Sequence, residues 1–253
     1  KTIHEFSKNG LHLFAGTLQN NGHNLHYVSI GADTLPTVVF VHGSPGSWTA
    51  FEDYLKDTVL LTKFRMISID RPGFGYSDYG KATDLKNESV IIAPLLQQLQ
   101  NRQPLYLVGH SMGGPVVAEL AADYPRLVQG IVILAGAFAP SLEPAEKWRR
   151  YFLNKPWCYL LPGAFGPSNI ELWDLKRDYY TLDAKLPKIT CRVYVMHGQK
   201  DMLVDVRNTE FMKDHIINAR SYFQKIFPNE NHFIPWTQYN AVRQLLLDLP
   251  VKE

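Results

Sequence analysis

Ser111 stands in Gly109-His110-Ser111-Met112-Gly113, directly after the apolar run Leu105-Tyr106-Leu107-Val108 and directly before the helix-forming stretch Pro115-Val116-Val117-Ala118-Glu119-Leu120. A serine with a glycine two residues away on each side, at a strand-to-helix turn, holds its hydroxyl clear of the backbone as a nucleophile. The glycines are needed because the turn is sharp and chain passes close on either side, where a side chain would collide. A serine hydroxyl is a weak nucleophile at neutral pH, so it needs a positioned base and an acid that orients the base. In the order nucleophile, acid, base, the acid follows a later strand and the base lies in a loop near the C-terminus. After the run at 191–196 comes His197-Gly198-Gln199-Lys200-Asp201, where Asp201 is the first carboxylate. After the run at 221–227 comes Pro228-Asn229-Glu230-Asn231-His232-Phe233, and His232 is the only histidine beyond His215.

Attack on a carbonyl also requires backbone donors aimed at the oxyanion that develops. One is the amide of Met112, beside the nucleophile at a helix start, where the first N–H groups have no intrahelical partner. The second belongs to the loop His42-Gly43-Ser44-Pro45-Gly46-Ser47; Pro45 has no N–H, so Ser44 is the simplest donor. Simpler roles compete with each of these. Ser111 could be a plain helix N-cap, and Asp205 competes with Asp201 but could equally cap the following helix. Asp70, just before a Pro-Gly turn, reads as a structural carboxylate that bonds loop amides. His42, His110 and His197 read as structural or site-lining.

The elements that must carry these residues follow from periodicity. Residues 12–17 and 24–30 flank the Asn20-Asn21-Gly22 turn signal and read as an antiparallel pair. Residues 37–41 are continuously apolar, as expected of a strand covered on both faces, and 64–69, 105–108 and 128–134 repeat that character. Helical patterns lie between them at 48–61, 85–100 and 114–124, with Pro94 expected to kink the second. Such alternation predicts parallel pairing with right-handed crossovers, an α/β class. It resumes with a strand at 191–196, a helix at 206–217, a strand at 221–227 and a helix at 236–249.

Residues 140–187 break the pattern: they are rich in proline and aromatics and lack strand-length β-branched runs. They read as a short, mostly helical cap inserted in a single core formed by 1–139 and 188–253. Aromatics in such a segment are expected mainly to pack cap against core. Some should line a largely apolar substrate cavity, with His110, Trp148, Tyr151, Phe152, Trp157 and Trp173 as candidates. The mixture of Trp148, Arg149, Arg150, Tyr151, Phe152, Lys155 and Trp157 also fits a headgroup boundary, but a solvated basic helix face is the favoured reading.

Taken in order, His-Gly-Ser-Pro-Gly at 42–46, Asp-Arg-Pro-Gly-Phe-Gly-Tyr-Ser at 70–77, Gly-His-Ser-Met-Gly-Gly at 109–114, His-Gly-Gln-Lys-Asp at 197–201 and Asn-His-Phe at 231–233 resemble the α/β-hydrolase superfamily over nearly the whole chain. The resemblance implies an eight-stranded, mostly parallel sheet with helices on both faces, no cofactor, and a cap inserted after the sixth strand. Serine at 111 departs from the similar epoxide-hydrolase and haloalkane-dehalogenase branches, which use aspartate there. The expected activity is hydrolysis of a small to medium apolar carboxylic ester. Amide, lactone or carbon–carbon hydrolysis, perhydrolase chemistry and lipase-like action share the same machinery, because fold and triad do not set the substrate. A ligand-binding protein on the same scaffold is the rival from outside enzymology.

Bulk composition excludes other classes. Among 253 residues, 26 basic and 24 acidic side chains leave a net charge of +2, which gives no broad field for nucleic acid. Cys158 and Cys191 make neither a disulfide framework nor a metal-site spacing, and Cys191 reads as a buried, inert thiol. No stretch is long and apolar enough to span a membrane, and no secretory leader is visible. The chain begins at Lys1, so a leader or anchor removed by processing is compatible with it and the compartment stays open. Oligomeric state has no signature in the sequence.

Overall fold

The computed structural model describes residues 2–8, 10–20, 22–144 and 146–251. Eight strands, β1 (Phe14–Asn20), β2 (His23–Ile30), β3 (Thr37–Val41), β4 (Arg65–Ile69), β5 (Leu105–His110), β6 (Gly130–Leu134), β7 (Arg192–Gly198) and β8 (Ser221–Phe227), form one open sheet in the order β1-β2-β4-β3-β5-β6-β7-β8. β2 pairs antiparallel with β1 and with β4; every other pairing is parallel. The helices are α1 (Thr2–Lys8), α2 (Glu52–Leu55), α3 (Thr58–Leu61), α4 (Leu85–Gln98), α5 (Gly113–Asp123), α6 (Phe165–Asp183), α7 (Asn208–His215), α8 (Ile234–Thr237) and α9 (Tyr239–Asp248).

Strand side chains alternate between faces, so each central strand feeds two cores. Val39, Val41, Ile67, Leu107, Ile131 and Val193 pack with α4 and α5 on one face. Val38, Phe40, Met66, Val108, Val132 and Leu134 pack with Phe51, Tyr54 and Leu245 on the other. Every residue of β3, β4, β5 and β6 is buried, which explains why those runs carry no polar alternation.

Several boundaries differ from expectation. The pattern at 48–61 is a 3₁₀ turn (Trp48–Phe51) followed by α2 and α3, because the Asp57 carboxylate accepts the amides of Val59 and Leu60 at 2.8 and 3.0 Å and starts a new helix. The pattern at 236–249 is two helices, α8, which starts at Ile234 with Pro235 in its first turn, where a missing N–H costs little, and α9, with Gln238 (φ −115°, ψ 34°) between them. α1 lies outside the strand–helix pattern and had no counterpart in it. In the β1–β2 turn Asn20 sits opposite His23 and Gly22 has φ +80°; Asn21 lies outside the described residues. Between β6 and β7 the chain forms 3₁₀ turns at Lys147–Phe152, Trp157–Leu160 and Leu186–Lys188 together with α6, and no strand among the described residues.

Candidate active site

Ser111 sits between β5 and α5 with φ +53°, the left-handed region that a residue with a side chain enters only when its surroundings enforce it. Its amide donates to the Leu134 carbonyl at 2.9 Å, and its own carbonyl accepts from Gly114 at 2.9 Å. Both flanking glycines are sterically required. A Cβ on Gly109 would lie 2.1 Å from the Gly113 carbonyl oxygen, and one on Gly113 would lie 2.1 Å from that of Val41.

The loops after β7 and β8 bring Asp201 and His232 together. His232 Nδ1–H donates to Asp201 Oδ2 at 2.7 Å, which leaves the Nε2 lone pair for another partner. Asp201 Oδ1 accepts the amides of Leu203 and Val204 at 2.8 and 2.9 Å, and Oδ2 lies 3.2 Å from His197 Nε2. Burial alone would raise this carboxyl's pKa; bonds from His197, His232 and Val204 outweigh it and hold it well below the usual carboxylate range. Asp205 bonds Arg207 in the exposed part of the same loop, so it is Asp201 that meets the ring. His232 and Ser111 line one cavity, with no direct hydrogen bond between Ser111 Oγ and His232 Nε2. Such bonds often tighten only when substrate is present.

His110 Nε2–H donates to the His232 carbonyl at 3.0 Å, with the two rings 4.9 Å apart. Burial, then the neighbouring His232, pushes the His110 pKa down to about 3, so it stays neutral. His42 is also held neutral: burial, then the Arg71 cation, pushes it down to about 3. Its Nδ1–H donates to the Gly43 carbonyl at 2.7 Å while Nε2 accepts the Arg71 amide at 3.0 Å, a pairing that only a neutral ring can make. Asp70 accepts the amides of Trp48 and Tyr76 at 2.7 and 2.9 Å and His26 Nδ1–H at 2.9 Å, the loop-bonding part expected of it.

The amides of Ser44 and Met112, the two expected oxyanion donors, both border the cavity and have no acceptor among the described residues. The Ser44 hydroxyl is engaged elsewhere, donating to Ser168 Oγ on α6 at 2.8 Å. Beside it the buried Arg71 guanidinium pairs with Glu171 of α6 and lies 3.5 Å from Glu88 of α4. Burial, together with the like charge of Glu171, pushes Glu88 up to about 8 against the pull of Arg71, so it carries a proton at neutral pH. The loops after β3 and β4 are thereby tied to α6.

The cavity holds about 920 Å³. One wall includes Ser44, His110, Ser111, Met112 and His232; Leu172, Leu175 and Tyr179 of α6, between β6 and β7, line another. Of the expected lining residues His110 borders the cavity, whereas Trp148, Tyr151, Phe152, Trp157 and Trp173 lie outside its wall. The 3₁₀ turns that hold the first four contain no buried residue, and Trp148, Tyr151 and Trp157 are exposed. Trp173 is likewise exposed on α6. Sequence reasoning missed Glu143, Arg149, Tyr179 and Trp236, which also line the cavity. The i, i+3, i+7 spacing of Leu172, Leu175 and Tyr179 was a readable signal of an inward helix face. Trp236, whose ring meets His110 edge-on at 5.1 Å, carried none.

A family model described as the alpha/beta hydrolase fold matches residues 36–160. Epoxide hydrolase 1 of Caenorhabditis elegans is 29% identical over 110 residues, 43% of this chain and 27% of the relative. The mouse sn-1-specific diacylglycerol lipase ABHD11 is 36% identical over 104 residues, 41% of this chain and 34% of the relative. The matched stretches therefore span only 27% and 34% of these relatives' own lengths. Among solved structures, Cfl2 of Burkholderia cenocepacia superposes with a TM-score of 0.74 at 21% identity, covering 93% of this chain and 95% of that one. The open sheet, the glycine-flanked serine turn after its fifth strand and these matches agree that the chain has the α/β-hydrolase fold.

Proposed function

We propose that this chain is a serine hydrolase that cleaves small to medium apolar carboxylic esters through an acyl-enzyme on Ser111. The observation that carries the reading is the 2.7 Å bond from His232 Nδ1–H to Asp201, which fixes a neutral tautomer whose Nε2 can take a proton in the cavity that Ser111 lines. Ser111 Oγ attacks the ester carbonyl carbon and passes its proton to His232 Nε2. Asp201 stabilises the resulting imidazolium, and the amides of Ser44 and Met112 hold the oxyanion. Collapse breaks the ester C–O bond, and His232 returns the proton to the leaving alcohol. Water, deprotonated by the same ring, then releases the acid and restores Ser111.

In this reading the insertion between β6 and β7 acts as a cap, and the apolar faces of Leu172 and Leu175 receive the acyl or alcohol group. Serine at 111 sets the chain apart from chemistry that begins with a carboxylate nucleophile, whatever the name of a relative. Ser111→Ala is expected to abolish nearly all turnover of a p-nitrophenyl ester while leaving the circular dichroism spectrum unchanged. Retained turnover would identify another nucleophile. A panel of esters, amides and lactones then sorts reaction types that share the machinery.

A further inference from the structure

The insertion carries a surface that neither the cavity nor the core uses. From residue 147 to residue 166 no side chain is buried, yet the segment is rich in large apolar groups. Trp148, Tyr151, Trp157, Tyr159, Leu160 and Phe165 are between 46% and 72% exposed. The two 3₁₀ turns that bear most of them pack against each other, which brings their exposed groups to the same region of the surface. Contiguous exposed apolar surface is uncommon on soluble proteins and marks a contact face.

Charge identifies the kind of partner. Residues 147–170 contain Lys147, Arg149, Arg150 and Lys155 and no aspartate or glutamate. Arg149 is paired with Glu146, whereas Lys147, Arg150 and Lys155 are exposed and have no carboxylate partner among the described residues. The cations are interleaved with the rings: the Arg149 guanidinium lies 4.6 Å from the Trp148 ring, and Lys155 Nζ lies 5.8 Å from that of Tyr159. An apolar patch alone would suit another protein surface. Tryptophan and tyrosine among unneutralised cations instead match the headgroup layer of an anionic bilayer, where the rings sit at the interface and the cations meet phosphates and carboxylates.

We propose that this face of the insertion docks the protein on an anionic lipid surface. The same segment supplies Arg149 and Ala164 to the cavity wall, so docking sets the cavity beside the bilayer. The proposal does not depend on the role assigned to Ser111.

The test is co-sedimentation with vesicles of phosphatidylcholine, either pure or with about 30% phosphatidylserine, a content that gives the surface a negative potential. The native chain is expected to favour the anionic vesicles by at least about 10-fold, and added salt should weaken that binding. Each basic residue near such a surface contributes roughly five-fold, so the combined variant Lys147→Glu, Arg150→Glu, Lys155→Glu should lower the partition coefficient by at least about 100-fold. Trp157→Ser with Tyr159→Ser should lower it by at least about 10-fold by removing the interfacial rings. All five positions fill no core, so melting temperatures should not move, and the charge variant should keep native turnover of a soluble ester. Failure to bind anionic vesicles, equal binding to neutral ones, or binding unchanged by both variants overturns the proposal. Self-association in the ultracentrifuge that Trp157→Ser with Tyr159→Ser abolishes, without vesicle binding, would assign the face to a second copy and overturn it too.

Discussion

Asp201→Asn removes a charge while keeping the side chain's shape, and its effect is set by the bonds that converge on this carboxylate. In the native chain Oδ1 accepts the amides of Leu203 and Val204, while Oδ2 accepts His232 Nδ1–H at 2.7 Å and faces His197 Nε2 at 3.2 Å. His197 Nε2 also lies 3.0 Å from the Val204 carbonyl, so it carries a proton. If the asparagine oxygen stays on the two amides, its NH₂ meets two ring nitrogens that both bear hydrogen. His232 escapes this clash by moving its proton to Nε2, which deletes the lone pair needed to activate Ser111. If the asparagine flips, its NH₂ points at two backbone donors instead. The expected loss is ~10⁴-fold in kcat, or about 5 kcal/mol at ~1.36 kcal/mol per tenfold, with KM little changed. Initial rates on a p-nitrophenyl ester measure it, with Asp205→Asn as the comparison, since that carboxylate bonds only Arg207 and local backbone. An Asp201→Asn enzyme within tenfold of native activity, or an equal loss in Asp205→Asn, would refute the reasoning.

Two further outcomes concern the scaffold. Gly113→Ala puts a methyl 2.1 Å from the Val41 carbonyl oxygen, a backbone atom that cannot swing aside, and should cost roughly 2–3 kcal/mol or about 5–10 °C in Tm. Gly166→Ala meets nothing within 4 Å and should leave Tm unchanged or slightly raised, so equal Tm values for the two variants would contradict the steric reading. Glu88→Gln tests the buried cluster with Arg71 and Glu171. With Glu88 raised from 4.5 to about 8, the folded chain holds a proton that the unfolded chain releases. This contribution is fully present below the unfolded value and is lost as pH rises towards 8. The native Tm should therefore fall from acid to mildly basic pH relative to Glu88→Gln, and parallel Tm-against-pH curves would contradict it.

The sheet was legible because its central strands are buried on both faces, which leaves uninterrupted apolar runs such as Thr37-Val38-Val39-Phe40-Val41. Of the candidate triad, Ser111 was marked by glycines that steric contact demands, and Asp201 and His232 by their positions just past strand ends. The break at Asp57 was written in the sequence as a capping aspartate but was masked by apolar residues that continue the helical period. The cavity wall was less readable. Whether Trp157 packs inward or stands at the surface depends on the path of short 3₁₀ turns, and those have no strong periodicity. Glu143 and Arg149 reach the cavity through tertiary placement alone, and no local pattern announces that.

Whether Ser111 is an activated hydroxyl is decided most directly by treating the native chain with a fluorophosphonate probe and mapping the adduct by peptide mass spectrometry. The expected result is one adduct per chain, on Ser111, lost in Ser111→Ala and strongly slowed in Asp201→Asn. An unlabelled native chain, or a label on any other residue, would contradict it.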